Sequence, residues 1–206
     1  AAKREAALRT WDDATAELGP EWATANALAM EAALRRVPGI AATREVSAPA
    51  RRGILALATS GGFVGAQRGT SASLSCAAIV QDGARKQSER DWDHARSVAA
   101  LRHPEEIARV AAERTLARVG ARKLPATRAP VIFDPSMARG LFGALLAGVS
   151  GDAVAKGRSF LRELRGERVL PEGLSLVDDP GLVGGLSSRA FDGEGKRLWK
   201  IYTGGP

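Results

Sequence analysis

The chain has 206 residues, with 45% hydrophobic and 26% charged side chains and a net charge of +7, enough for one or two globular domains of about 100–200 residues each. No apolar run approaches the about 20 residues that span a bilayer, the single cysteine, Cys76, excludes an internal disulfide framework, and the opening Ala1-Ala2-Lys3-Arg4-Glu5 has no apolar stretch behind it as a secretory signal would. A cytoplasmic protein without membrane association is expected; the positive charge admits acidic partners, but arginines are scattered with no dense basic tract, so a nucleic-acid site is not expected.

In chain order, residues 1–18 are dominated by Ala, Leu, Glu and Arg and predict a helix that stops at Gly19-Pro20. A second helix is predicted over 21–36, with Trp22, Leu28 and Val37 on its apolar stripe and Pro38-Gly39 at its end. From Ile40 to Trp92 the pattern changes to short alternating runs. Residues 43–48, 53–59, 63–68, 70–80 and 84–91 read as strands of an antiparallel meander. Ser60-Gly61-Gly62 and Gln81-Asp82-Gly83 supply hairpin turns. Gly61, Gly62, Gly65 and Gly69 do not make a phosphate loop, because a Ser/Thr-rich strand follows them instead of a helix N-terminus.

Cys76, in mid-strand between Ser75 and Ala77, reads as a small buried hydrophobe. Two histidines, His94 and His103, with no clustered cysteines do not make a zinc site. A third helix is predicted from Pro104 to Val119, with Glu105 and Glu106 at the positive end of its dipole and Gly120 after it. Residues 121–129 read as a linker and domain boundary. Val131-Ile132-Phe133 is predicted as a short buried strand feeding a helix capped by Asp134 and opened by Pro135. That helix carries Met137, Leu141, Phe142, Leu145, Leu146 and Val149 at helical spacing, one face inward. Gly140, Gly143 and Gly148 crowd it too, and glycine costs about 1 kcal/mol against alanine in a helix interior, so close packing is expected there. A short helix at 159–164 and strands at 169–170 and 174–177 complete the predicted elements. Asp178-Asp179-Pro180 reads as a capping turn, and Asp192 and Glu194, flanked by Gly193 and Gly195, as backbone-shaping residues.

Several segments agree in order and spacing with a known family. They are Arg114 to Pro125 leading into Ala129-Pro130-Val131-Ile132-Phe133-Asp134-Pro135, then Ser150-Gly151-Asp152 to Phe160, Val177-Asp178-Asp179-Pro180, and Gly185-Leu186-Ser187-Ser188-Arg189-Ala190-Phe191-Asp192-Gly193-Glu194-Gly195. Through these the chain resembles the TldD/PmbA family, the metalloprotease-related "modulator of DNA gyrase" proteins, from about Arg44 to Gly195, and is closer to the PmbA (TldE) type. The resemblance implies an α+β fold: residues 1–20 as the remnant of a preceding domain or a linker helix, 21–124 as a central domain of antiparallel sheet and packed helices, and 125–206 as the beginning of a truncated C-terminal protease-type domain. Lys196 to Pro206 does not match the family's continuation well, so an incomplete or divergent member is expected.

In TldD-type subunits the glycine-rich helix carries His-Glu-x-x-x-His. Its imidazoles hold zinc, which makes a nucleophile of bound water, and its glutamate serves as base. By resemblance those positions fall here on Gly143, Ala144 and Gly148, none of which can bind zinc or move a proton. No catalytic residue and no metal ligand is therefore expected in this chain, and zinc is expected in the partner. The resemblance implies a TldD-like metal-bearing subunit as partner in a heterodimer, and unfolded or modified peptides as substrate. Asp134, Pro135, Gly151, Asp178, Asp179, Asp192, Gly193, Glu194 and Gly195 are carried over as structural signature residues. A nucleic-acid- or gyrase-associated binding protein is the alternative that the charge and the family's older name admit. A self-sufficient hydrolase lacks any Gly-x-Ser-x-Gly elbow or positioned histidine.

Overall fold

The computed structural model describes residues 7–194 and 201–203. Its contacts divide the chain into two units. One runs to Arg122 and takes in the return segment from Asp179; the other comprises Lys123–Asp178 with the strand near the C-terminus. The linker expected at 121–129 contains this division. The return segment carries much of the signature, which the sequence assigns to the later domain.

The first unit contains helices α1 (Asp13–Ala16) and α2 (Pro20–Arg35), strands β1 (Ile40–Ser47), β2 (Ala50–Ala58), β3 (Val64–Asp82) and β4 (Arg85–Ala95), a 3-10 turn (Val98–Ala100) and helix α3 (Pro104–Leu116). The fold is α+β, as predicted. Every strand pair is antiparallel and β3 is the spine. β1 and β2 lie end to end along one side of it: Ser47 opposes Ser75, Ser73 N–H donates to Pro49 O, and Ala50 opposes Ala72. Pro49 has no N–H to give a ladder, which is why one long strand reads as two. A bulge lies between Arg44 and Ser47, where Glu45 takes a positive φ of 53°. β4 pairs the other side of β3 from Ala72 to Asp82.

Two predictions need correction here. The expected break between strands 63–68 and 70–80 does not exist; β3 is one strand of 19 residues. Gly69 stays in register opposite Gly53, so glycine content misleads where neighbouring ladders hold the strand straight. The helix expected over 1–18 is also interrupted. Its first six residues lie outside the described residues. Asp12 is extended and caps α1, its Oδ1 accepting Thr15 N–H at 2.7 Å. Thr10 and Asp12 are drawn to β3 instead: Thr10 O accepts Thr70 N–H at 3.0 Å and Asp12 N–H donates to Thr70 Oγ1 at 3.0 Å. These bonds occupy an edge of β3 that β4 does not reach, so tertiary pairing overrides helix propensity.

Helices α2 and α3 pack on one face of the sheet. Met30, Leu34, Leu74, Ala78, Ile107 and Ala111 form the centre of the core, none more than 2% exposed. Cys76 is buried among them; burial, with the Asp91 charge adding to it, pushes its thiol up to about 11. Asp91, opposite Cys76 on β4, is buried and ion-paired to Arg102 at 2.8 Å and Arg114 at 2.9 Å. Burial opposes the charge on Arg102, but Asp91, Asp93 and Glu106 outweigh it and push that guanidinium up. This cluster ties β4 to α3 and to the turn before it.

The second unit contains α4 (Pro135–Val149), α5 (Gly151–Ala155), and the antiparallel pair β5 (Leu176–Asp178) and β6 (Ile201–Thr203). The predicted strand at 131–133 is absent: Ile132 is 99% exposed, and a strand exists only where a neighbour completes its ladder. Residues 169–170 are likewise not a strand, and 159–164 form turns instead of a helix. No helix among the described residues is long and apolar enough to cross a membrane.

Candidate functional site

Helix α4 is built as its residues dictate. Asp134 Oδ1 accepts Ser136 N–H at 2.9 Å and Pro135 fills the first turn. The expected inward apolar face is not covered within its own unit. Met137 is 64% and Leu141 53% exposed, Leu146 and Val149 are exposed as well, and Gly148 is the one buried residue of the helix. The close packing expected of its glycines occurs at one of three. A Cβ added at Gly140 or Gly143 would meet nothing within 4 Å, whereas at Gly148 it would lie 2.8 Å from Phe160 Cε1 and 3.2 Å from Leu161 Cδ1. There the chain folds back over the end of α4: Ser159 Oγ donates to Gly148 O at 2.6 Å and accepts Leu161 N–H at 3.0 Å.

That fold-back frames a cavity of about 740 Å³. Gly148, Val149, Val154, Leu161, Leu164 and Val169 give it an apolar lining, and Arg162, Arg165 and Arg168 stand at it. Such a lining binds by excluding water, and Glu167 is the one carboxylate among the residues that line it. At Gly143, Ala144 and Gly148 there is no side chain that can ligate a metal or carry a proton. No group of three or more His, Cys, Asp or Glu among the described residues is arranged to hold a metal ion. His94 lies on β4 and His103 caps α3, both in the first unit.

The signature residues fall in two places. Asp134, Pro135, Gly151 at the start of α5 and Asp178 on β5 belong to the second unit. Asp179, Asp192, Gly193 and Glu194 belong to the first. Asp179 Oδ1 accepts Gly181 N–H and Asp192 Oδ1 accepts Glu194 N–H, each at 2.9 Å. Both carboxylates thus shape tight turns. Gly195 lies outside the described residues.

Sequence reasoning missed the residues that hold the return segment. Gln67 Oε1 accepts Ala190 N–H at 2.7 Å, and its Nε2 donates to Ser188 O at 3.3 Å. Arg96 donates through Nη2 to Leu186 O at 2.6 Å and through Nε to Gly185 O at 3.3 Å. Burial, then the nearby charge of Arg189, pulls the Arg96 guanidinium down. Phe191 tilts against Phe63 with ring centroids 5.2 Å apart. A Cβ on Gly65 would stand 2.6 Å from Phe63 Cζ and 3.2 Å from Phe191 Cε1, so Gly65 is the opening that admits this pair. A glycine two residues after a hairpin phenylalanine was the available signal.

Sequence models of the PmbA/TldA metallopeptidase central domain and C-terminal domain match residues 13–119 and 126–201 respectively. "Metalloprotease PmbA" of Escherichia coli O157:H7 is 33% identical over 183 residues, covering 88% of this chain and 41% of that protein. A "Metalloprotease PmbA homolog" of Haemophilus influenzae is 30% identical over 185 residues, with the same 88% and 41% coverage. The chain therefore spans about two-fifths of the length of these curated relatives. Among solved structures, a putative modulator of DNA gyrase from Bacteroides thetaiotaomicron superposes with a TM-score of 0.86 at 25% identity, over 95% of this chain and 45% of that one. TldE from Thermococcus kodakarensis shares the fold, with a TM-score of 0.71 at 20% identity, over 93% of this chain and 43% of that one. With its central and C-terminal regions both matched in order, the chain belongs to the PmbA/TldD metallopeptidase family.

Proposed function

We propose that this chain is a PmbA/TldE-type subunit that acts in the cytoplasm with a TldD-like, zinc-bearing subunit to cleave unfolded or modified peptides. What supports this reading is the resemblance, by which the zinc-motif positions of TldD-type subunits fall on Gly143, Ala144 and Gly148 of α4, none of which can bind a metal. The partner supplies the metal and the activated water. This chain supplies surfaces. The exposed Met137 and Leu141 on α4 and the arginine-rimmed apolar cavity at its end suit contact with another polypeptide. Glycine at 140 and 143, with open space beside each, leaves room for a backbone to approach the helix closely.

Co-expression with a TldD-type relative, followed by co-purification and a peptidase assay on an unfolded polypeptide, tests the proposal. Stable association and a chelator-sensitive activity that neither subunit has alone are the expected results. Failure to associate, or chelator-resistant activity from this chain alone, contradicts it.

A further inference from the structure

We propose that the open face of the first unit's sheet is a docking trough for an extended acidic peptide segment. The inference deepens the function proposed above and rests on it for the polypeptide nature of the ligand. Helices α2 and α3 cover the face on which Ala72, Leu74, Cys76, Ala78 and Val80 are buried. Strand side chains alternate, so Ser71, Ser73, Ser75 and Ala77 of β3 point to the other face, and residues directly opposite them share it.

The registers build that face row by row. Arg44 of β1 and Arg90 of β4 both oppose Ala77. Ser75 lies between Ser47 and Trp92. Ser73 lies between Pro49 and His94, and Arg51 opposes Ser71. Small side chains along β3 thus floor a trough with longer ones on its walls. Cavities of about 320 Å³ beside Arg44 and Arg90 and about 290 Å³ beside Arg51 and His94 open along it. The return segment bonds to this same face further along β3, at Gln67.

Charge identifies the occupant. Arg44, Arg51 and Arg90 face the trough, with Lys86 at its end opposite Gln81. Glu45, 3.5 Å from Arg44, and Glu89, which lines the cavity beside Arg44 and Arg90 and pairs with Arg118 at 3.2 Å, are the carboxylates beside them. Arg51 and Arg90 are exposed, and among the described residues neither forms an ion pair. From the row of Arg51 to the row of Arg44 and Arg90 is six residues of β3, or about 20 Å. A strand-like peptide with carboxylates about six residues apart matches that span. Single-stranded nucleic acid is the weaker fit, because its binding platforms stack successive bases on several aromatic rings and Trp92 is the one aromatic among these rows.

Fluorescence anisotropy of the whole chain tests this with three labelled probes: a Ser/Gly heptapeptide with Asp at both ends, its counterpart with Lys, and a short single strand of DNA. The acidic peptide should bind at least about tenfold tighter than the lysine one, and weaken as salt rises from about 0.01 M to about 0.15 M. Combined Arg51→Glu and Arg90→Glu should abolish the preference without moving the thermal melt. If the double reversal lowers the melt, Arg90→Gln must show the same weakening in smaller degree. Equal binding of the two peptides, full binding by the variants, or stronger binding of DNA overturns the proposal. Co-purification with a TldD-type relative, measured on the same samples, tests the proposed function separately: association without acidic preference overturns the trough alone.

Discussion

Helices α3 and α4 start alike and are used differently. Each opens on a proline, each carries apolar residues at helical spacing, and each has a clear start signal in the sequence. Yet α3 buries Ile107, Ala108, Ala111 and Ala112 against the sheet and α2, while α4 leaves Met137, Leu141, Leu146 and Val149 exposed. An amphipathic stripe specifies a helix and the face that wants cover. It does not specify where the cover comes from. In the first unit the cover is the same chain; for α4 we assign it to the association proposed above.

The largest expected effect sharpens this contrast. Ile107→Ala should cost about 2–5 kcal/mol in denaturant unfolding, because Ile107 is fully buried. Leu141→Ala, at an exposed site, should stay within about 0.5 kcal/mol. Equal costs would break the comparison. Next, Asp91→Ala should destabilise by about 2–3 kcal/mol. That is below the usual cost of breaking a buried pair, because Arg102 and Arg114 are 33% and 42% exposed and can turn to water.

The pH dependence of Cys76 gives a directional test within α3's unit. Its folded thiol is raised from 9.0 to about 11, so between those values the unfolded chain releases a proton that the folded chain keeps. Stability present below pH 9.0 should therefore fall as pH rises toward about 11, and Cys76→Ala should flatten that part of the profile. Alkylation at pH 8 should leave the native thiol unmodified and label it in denaturant. The smallest effect returns to α4. Gly143→Ala meets open space and should stabilise the chain alone by up to about 1 kcal/mol. In the complex with a metal-bearing relative that gain should shrink or reverse if a backbone lies against the helix there.

Much of the first unit was legible in the residues. Pro104 with Glu105 and Glu106, the Gly61-Gly62 and Gly83 turns, and the apolar alternation of β3 are local signals that the structure uses locally. The continuity of β3 through Gly69 was not legible, because it depends on ladders from β2 and the Thr10 edge contact. Nor was the return of Ser188 and Ala190 to Gln67, which spans more than a hundred residues of chain. In the second unit the start of α4 was readable from Asp134-Pro135, but Val131-Ile132-Phe133 was not, since an apolar triplet becomes a strand only beside a partner. The chemistry assigned to the site came from motif order, and side chains as plain as Gly143 and Gly148 carry no such message by themselves.

Metal analysis of the purified chain, alone and paired with a TldD-type relative, tests the central claim most directly. The account predicts no bound zinc in the chain alone and stoichiometric zinc in the pair, lost together with peptidase activity on chelation. Stoichiometric zinc bound by this chain alone would contradict it.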